Sequence, residues 1–210
     1  SIRVPLPGCP IIVACAARAF RWIVCCEISC YIGSSSPSES ASKVPSGRFS
    51  SEYNASMNSQ QIIEWLLQGD VSIQYQVGRD LLGVHKKELQ DRIATEGWGM
   101  EFLARRKADG HWGDRFYQPK WICTHYTLLD LRNLNLPPNH PLVQETIEGV
   151  LQNHRADDGG IRLGPSTAER SDVCVNAMVL NYAAYFQTDE NQLVPIVDSI
   201  LNECMPDGGF

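Results

Sequence analysis

Three Asp-Gly dipeptides recur at a fixed interval, Asp109-Gly110, Asp158-Gly159 and Asp207-Gly208, each 49 residues from the next. Aligned on these turns, Phe102, Leu151 and Ile200 fall seven residues before each Asp, and Trp112, Ile161 and Phe210 three residues after it. Glycine supplies the positive φ that ends a helix, and Asp favours such turns, so the unit reads as helix, Gly-rich turn, apolar plug. Self-similarity at this period marks stacked supersecondary units, none of which can bury its apolar face alone. The chain is therefore expected to fold as an all-α array of helical hairpins.

Two helices fit between successive turns. Pro141 suits the first turn of a helix, and Leu142, Val143, Ile147, Val150 and Leu151 then form one apolar stripe over 142–153. Residues 124–134 and 173–186 read as helices of another kind. The second carries Val173, Val175, Ala177, Met178, Val179 and Leu180 with little polar surface, and a helix apolar nearly all round is buried. An apolar inner layer and an amphipathic outer layer follow. Upstream, residues 60–68 and 72–82 form a helical pair that caps the array, bringing the expectation to about seven helices over 58–204. That is too few to close a two-layer ring, so the expected architecture is an incomplete α/α toroid, an open arc.

The N-terminal quarter has a different character. Residues 33–59 are rich in Ser, with Pro37, Pro45 and Gly47, a composition that cannot bury enough surface to offset its ordering entropy. Helical patterning begins near Met57, which divides the chain into a disordered or non-native extension, 1–56, and the N-terminal part of a toroid domain, 57–210, cut within its third turn. Residues 11–32 are apolar on average, but Arg18, Arg21 and Glu27 interrupt them, so no membrane span is expected. Residues 11–17, with Ala14-Cys15-Ala16, keep a secretory signal as an alternative. The extension carries five Lys/Arg against three Asp/Glu, leaving 13 against 21 for the body, an acidic balance that argues against nucleic-acid binding. Cys123, Cys174 and Cys204 make no disulfide framework, which points to a reducing, cytoplasmic setting.

The register singles out candidate functional residues. His125 lies 16 residues after Asp109, and Cys174 lies 16 after Asp158, so both open successive inner helices. Helix starts of an inner layer face a central cavity, although such positions also attract polar side chains for capping alone. Trp121 and Tyr126 flank His125 and are the aromatic candidates for the same cavity, with core packing as the competing role.

The three turns, each leading toward an inner helix, resemble the prenyltransferase and squalene-oxidase repeats of the terpenoid cyclase and protein prenyltransferase toroids. Residues 57–210 are most similar to a group of bacterial cyclase-like repeat proteins. The resemblance implies an apolar, isoprenoid-type ligand. The Asp-x-Asp-Asp acid of polyene cyclases and the Asp-rich magnesium motif of diphosphate-ionising cyclases are both missing from this sequence. Protein prenyltransferases instead hold zinc through an Asp-x-Cys element opening an inner helix, and Asp172-x-Cys174 stands at that position. Zinc accepts mixed O, S and N ligands, and convergence of side chains two apart requires Asp172 at a non-helical cap. The third ligand, a His, is expected beyond Phe210. Two principal functions remain open: an isoprenoid-directed enzyme with Zn²⁺ on Asp172 and Cys174, or a non-catalytic repeat module binding a protein or lipid partner; a carbohydrate-active toroid, which needs two carboxylates facing across the cavity, is a third and weaker one.

Overall fold

The computed structural model describes residues 58–164 and 170–209. Eight α-helices are present among them: α1 (Ser59–Leu66), α2 (Val71–Asp80), α3 (Lys87–Arg92), α4 (Gly97–Ala104), α5 (Thr124–Asn133), α6 (Pro141–Asn153), α7 (Val173–Tyr185) and α8 (Glu190–Asn202). No strand forms among the described residues, only an isolated antiparallel bridge between Arg155 and Ile161. Nor is any described helix long and apolar enough to cross a membrane. The extension, 1–56, and the third plug, Phe210, lie outside the described residues.

The turns are one structure repeated three times. Gly110, Gly159 and Gly208 have φ of 85°, 87° and 83°. The Asp before each accepts the amide two residues on, Asp109 from His111 at 3.0 Å, Asp158 from Gly160 at 2.9 Å and Asp207 from Gly209 at 3.0 Å. The backbone ring closes alike, with Lys107, Ala156 and Met205 each donating to the carbonyl four residues later at 2.8–2.9 Å. Both described plugs are buried. Trp112 also donates its indole Nε1–H to the Phe102 carbonyl at 2.6 Å, which ties the plug to the helix before the turn.

Helix α5 packs against α7, α7 against α8, and α4 against α5. Leu128 and Leu131 of α5, Ile147 of α6, Val179 and Tyr182 of α7 and Ile196 of α8 are buried together in one core. The expected stripe on α6 holds at Val143, Ile147, Val150 and Leu151 but fails at Leu142, which is exposed. Helical geometry gives that inward place to Thr146, which is buried and bonds the Arg106 guanidinium at 2.9 Å.

The stretch leading to the first turn is broken into two short helices. One period before α6 the chain makes the short α3 and then α4, separated at Gly97 with φ of 58°. The Asp70 carboxylate ties the start of α4 to the start of α2. It accepts from Ser72 N at 2.8 Å at the start of α2 and from Trp98 N at 2.9 Å at the start of α4. A Cβ at residue 97 would collide with that carboxylate, so the break requires glycine by both conformation and space.

Repeats are joined by arginines one period apart. Arg106 reaches Thr146 Oγ1 at 2.9 Å and Glu145 Oε1 at 3.0 Å on α6. Arg155 donates to the Gly159 carbonyl at 2.8 Å and to the Gln192 carbonyl of α8 at 2.9 Å. The first two turns are thereby fastened to the helices α6 and α8.

Candidate functional site at the starts of α5 and α7

Helices α5 and α7 begin on the same rung. Cys123 and Asp172 are their N-caps, both in extended backbone, and His125 and Cys174 are each the second helical residue. The predicted register is therefore present, with Asp172 outside helical geometry as Asp-x-Cys convergence requires. The Asp172 Oδ1 accepts the amides of Cys174 at 2.9 Å and Val175 at 3.3 Å. Capping thus occupies one carboxylate oxygen. The Cys174 side chain is exposed on the first turn.

His125 takes the opposite orientation. It is fully buried, with Nε2 3.3 Å from the Met178 sulfur on α7. Aromatic rings surround it: Phe116 edge-on at 5.6 Å, Tyr117 at 5.4 Å, Tyr126 edge-on at 5.1 Å and Tyr182 edge-on at 5.8 Å. Burial without a counter-charge lowers its pKa to about 4, so the ring is neutral at physiological pH. The same burial raises the Cys123 thiol, against the opposing pull of the Tyr126 and His125 amides.

The aromatic candidates divide. Tyr126 is half-buried, and its hydroxyl pairs with that of Tyr117 at 3.1 Å. Trp121 stacks on Tyr126 at 4.8 Å between centroids, yet it is 62% exposed and stands outside the core. Trp121, Tyr126 and His125 thus form one continuous series of ring contacts running from the surface to the interior, and Asp172 and Cys174 form a separate pair on the neighbouring helix. Tyr182 on α7 and Phe186 at its C-cap are core residues. Among the described residues, no group of three or more His, Cys, Asp and Glu gathers as a metal site would need.

Two sets of contributors escaped the sequence reading. Phe116 and Tyr117, in the loop before α5, close over His125, and nothing in their spacing marks them. Asn176 is the other, buried on α7, where it accepts the plug amide of Ile161 at 2.7 Å and donates to Ser171 Oγ at 2.7 Å and Ser199 Oγ at 3.3 Å. The signal available for it was a polar residue inside an otherwise apolar helix, since buried amides are kept only where they are bonded.

Comparison with protein-family models, curated proteins and solved structures finds no match to this chain.

Proposed function

We propose that this protein is an α/α-toroid repeat protein of the prenyltransferase and squalene-cyclase type, with a ligand site for an isoprenoid-like molecule at the starts of α5 and α7. The observation that carries the reading is the shared rung. Two inner helices, one period apart, open with Cys123-x-His125 and Asp172-x-Cys174, and the second pair combines an extended carboxylate cap with an exposed thiol. Oxygen and sulfur donors of this kind suit Zn²⁺, which lowers the pKa of a bound thiol and leaves room for a substrate sulfur. Asp172 Oδ2 and Cys174 Sγ are the atoms that would hold it. Asp172 Oδ1 keeps the helix start in place meanwhile. The deciding measurement is the zinc content of the protein beside Cys174→Ala and Asp172→Asn. Asn preserves a cap while removing the charged ligand, so both variants should lose metal with the fold intact. Equal zinc in wild type and Cys174→Ala rejects the metal reading.

A second reading is favoured by the two amides already on Asp172 and by the lack of a third clustered ligand among the described residues. Here the chain is a non-catalytic repeat module that binds a protein or lipid partner. It predicts no diphosphate release from polyprenyl diphosphates and undiminished partner binding by Cys174→Ala. Diphosphate release abolished by that substitution would eliminate it.

A further inference from the structure

The loop 113–122, between the first turn and α5, is rooted at both ends. Gly113, with φ of 65°, lies so close to the opposite strand of the loop that a Cβ would stand 2.9 Å from the Ile122 carbonyl. The Gln118 carbonyl accepts the amides of Asp114 at 2.9 Å and Arg115 at 3.0 Å, and the buried Phe116 accepts the His125 amide at 3.0 Å. A loop so fixed could have turned its apolar side chains inward. It instead leaves Trp121 62% and Ile122 65% exposed, side by side. Trp121 also has φ of 76°, an unfavourable conformation for a bulky side chain. Two local costs fall on one residue, a pattern that marks functional rather than packing constraint.

The charge around this tip runs against that of the chain. Residues 105–122 carry five Lys/Arg against two Asp/Glu, whereas the rest of the sequence carries 13 against 22. Arg105, Arg106 and Lys107 are drawn toward Glu101, Glu145 and Asp114. Lys120 and Arg115 are exposed at the tip, with Lys120 Nζ lying 4.9 Å from the Trp121 ring centroid. An indole and an aliphatic side chain beside exposed cations form the combination that seats at a lipid headgroup layer, the rings at carbonyl depth and the ammonium at the phosphates.

We propose that loop 118–122 docks this protein on an anionic lipid surface, with Trp121 and Ile122 entering the headgroup region and Lys120 and Arg115 meeting lipid phosphates. This goes beyond the zinc reading and does not depend on it. Docking beside the start of α5 places an inner-helix rung next to the layer from which an apolar ligand would come.

The test is sedimentation of the full chain with vesicles of phosphatidylcholine alone and of phosphatidylcholine mixed with phosphatidylglycerol. Residues 11–32 are also apolar, so the informative comparison is between variants of the loop. Wild type should sediment with the mixed vesicles and show a blue-shifted tryptophan emission that Trp121→Asn removes, Asn being tolerant of positive φ. Ile122→Ser should weaken binding, and Lys120→Glu should weaken it roughly fivefold per unit of charge changed. Both alter exposed side chains and leave the core alone, so they remain informative if Trp121→Asn fails to fold. Failure of wild type to bind mixed vesicles, equal binding to both vesicle types, or binding unchanged by Ile122→Ser and Lys120→Glu each overturns the proposal. Zinc content, measured on the same samples, reports on the other reading separately.

Discussion

The backbone amide of Ile161 donates to the Asn176 side-chain oxygen at 2.7 Å, joining the plug after the second turn to the helix it packs beneath. In the first repeat the same plug position, Trp112, donates instead to the Thr124 hydroxyl at 3.0 Å. The two solutions differ by one helical turn, because Asn176 corresponds to Thr127 rather than to Thr124. A buried plug amide needs an acceptor, and either side chain provides one.

Asn176→Ala should therefore cost about 2–3 kcal/mol, since it strands the Ile161 amide and removes a partner from Ser171 and Ser199. Urea unfolding would measure this as a lowered midpoint with unchanged slope. A loss within ~0.5 kcal/mol would show that the amide finds another acceptor.

Glycines 159 and 208 share nearly the same φ but not the same surroundings. A Cβ on Gly159 would stand 2.9 Å from the Pro195 carbonyl on α8, while one on Gly208 meets nothing within 4 Å among the described residues. Gly208→Ala should cost only the left-handed conformation, about 1–2 kcal/mol. Gly159→Ala should cost at least about 1 kcal/mol more, because α8 has to move. Equal melting temperatures for the two variants would contradict this account.

His125 gives stability a specific dependence on acid. Its folded pKa, lowered by burial to about 4 from an ordinary 6.5, means that the unfolded chain takes up the proton first. The contribution is complete above about pH 6.5, declines as pH falls through that value, and is exhausted near pH 4. His125→Phe should flatten the stability profile across this window, whatever it does to stability at neutral pH. A profile from pH 4 to 6.5 with wild-type slope would show that the ring is not held neutral.

Asp158 acts at lower pH. Burial pushes its pKa up, but the Ser171 and Gly160 amides and the Ser171 hydroxyl outweigh that effect and hold it below the usual carboxylate value. Its stabilisation is present above the unfolded pKa and lost as pH falls through the folded one. Asp158→Asn should lie below wild type in stability at neutral pH, and the gap should narrow on acidification. A gap constant down to pH 3 would mean that the charge contributes nothing.

The turns were legible because their chemistry is local. Asp and Gly at fixed places dictate the backbone, and all three copies adopt it. Helix α7 was legible from its uniform apolarity, and the start of α6 from Pro141. What escaped depended on distant partners. The glycine at the start of α4 is required because Asp70, the N-cap of α2, occupies the space beside residue 97. The orientation of His125 depends on Phe116 and Tyr117 folding back over it, so a position read as a helix start gave no indication that its side chain is enclosed. Cys174, at the equivalent place on α7, is exposed. The period did contain one unused signal. Arg106 and Arg155 are 49 residues apart, as the turns are.

Those two arginines grip by different means. Arg106 holds α6 through the side chains of Thr146 and Glu145, whereas both acceptors of Arg155 are main-chain carbonyls. A carbonyl is present whatever residue bears it, so the second joint makes no demand on the identity of residue 192. Mutational drift along α8 can proceed there without loosening the array, while the first joint binds the history of residue 146 to that of residue 106.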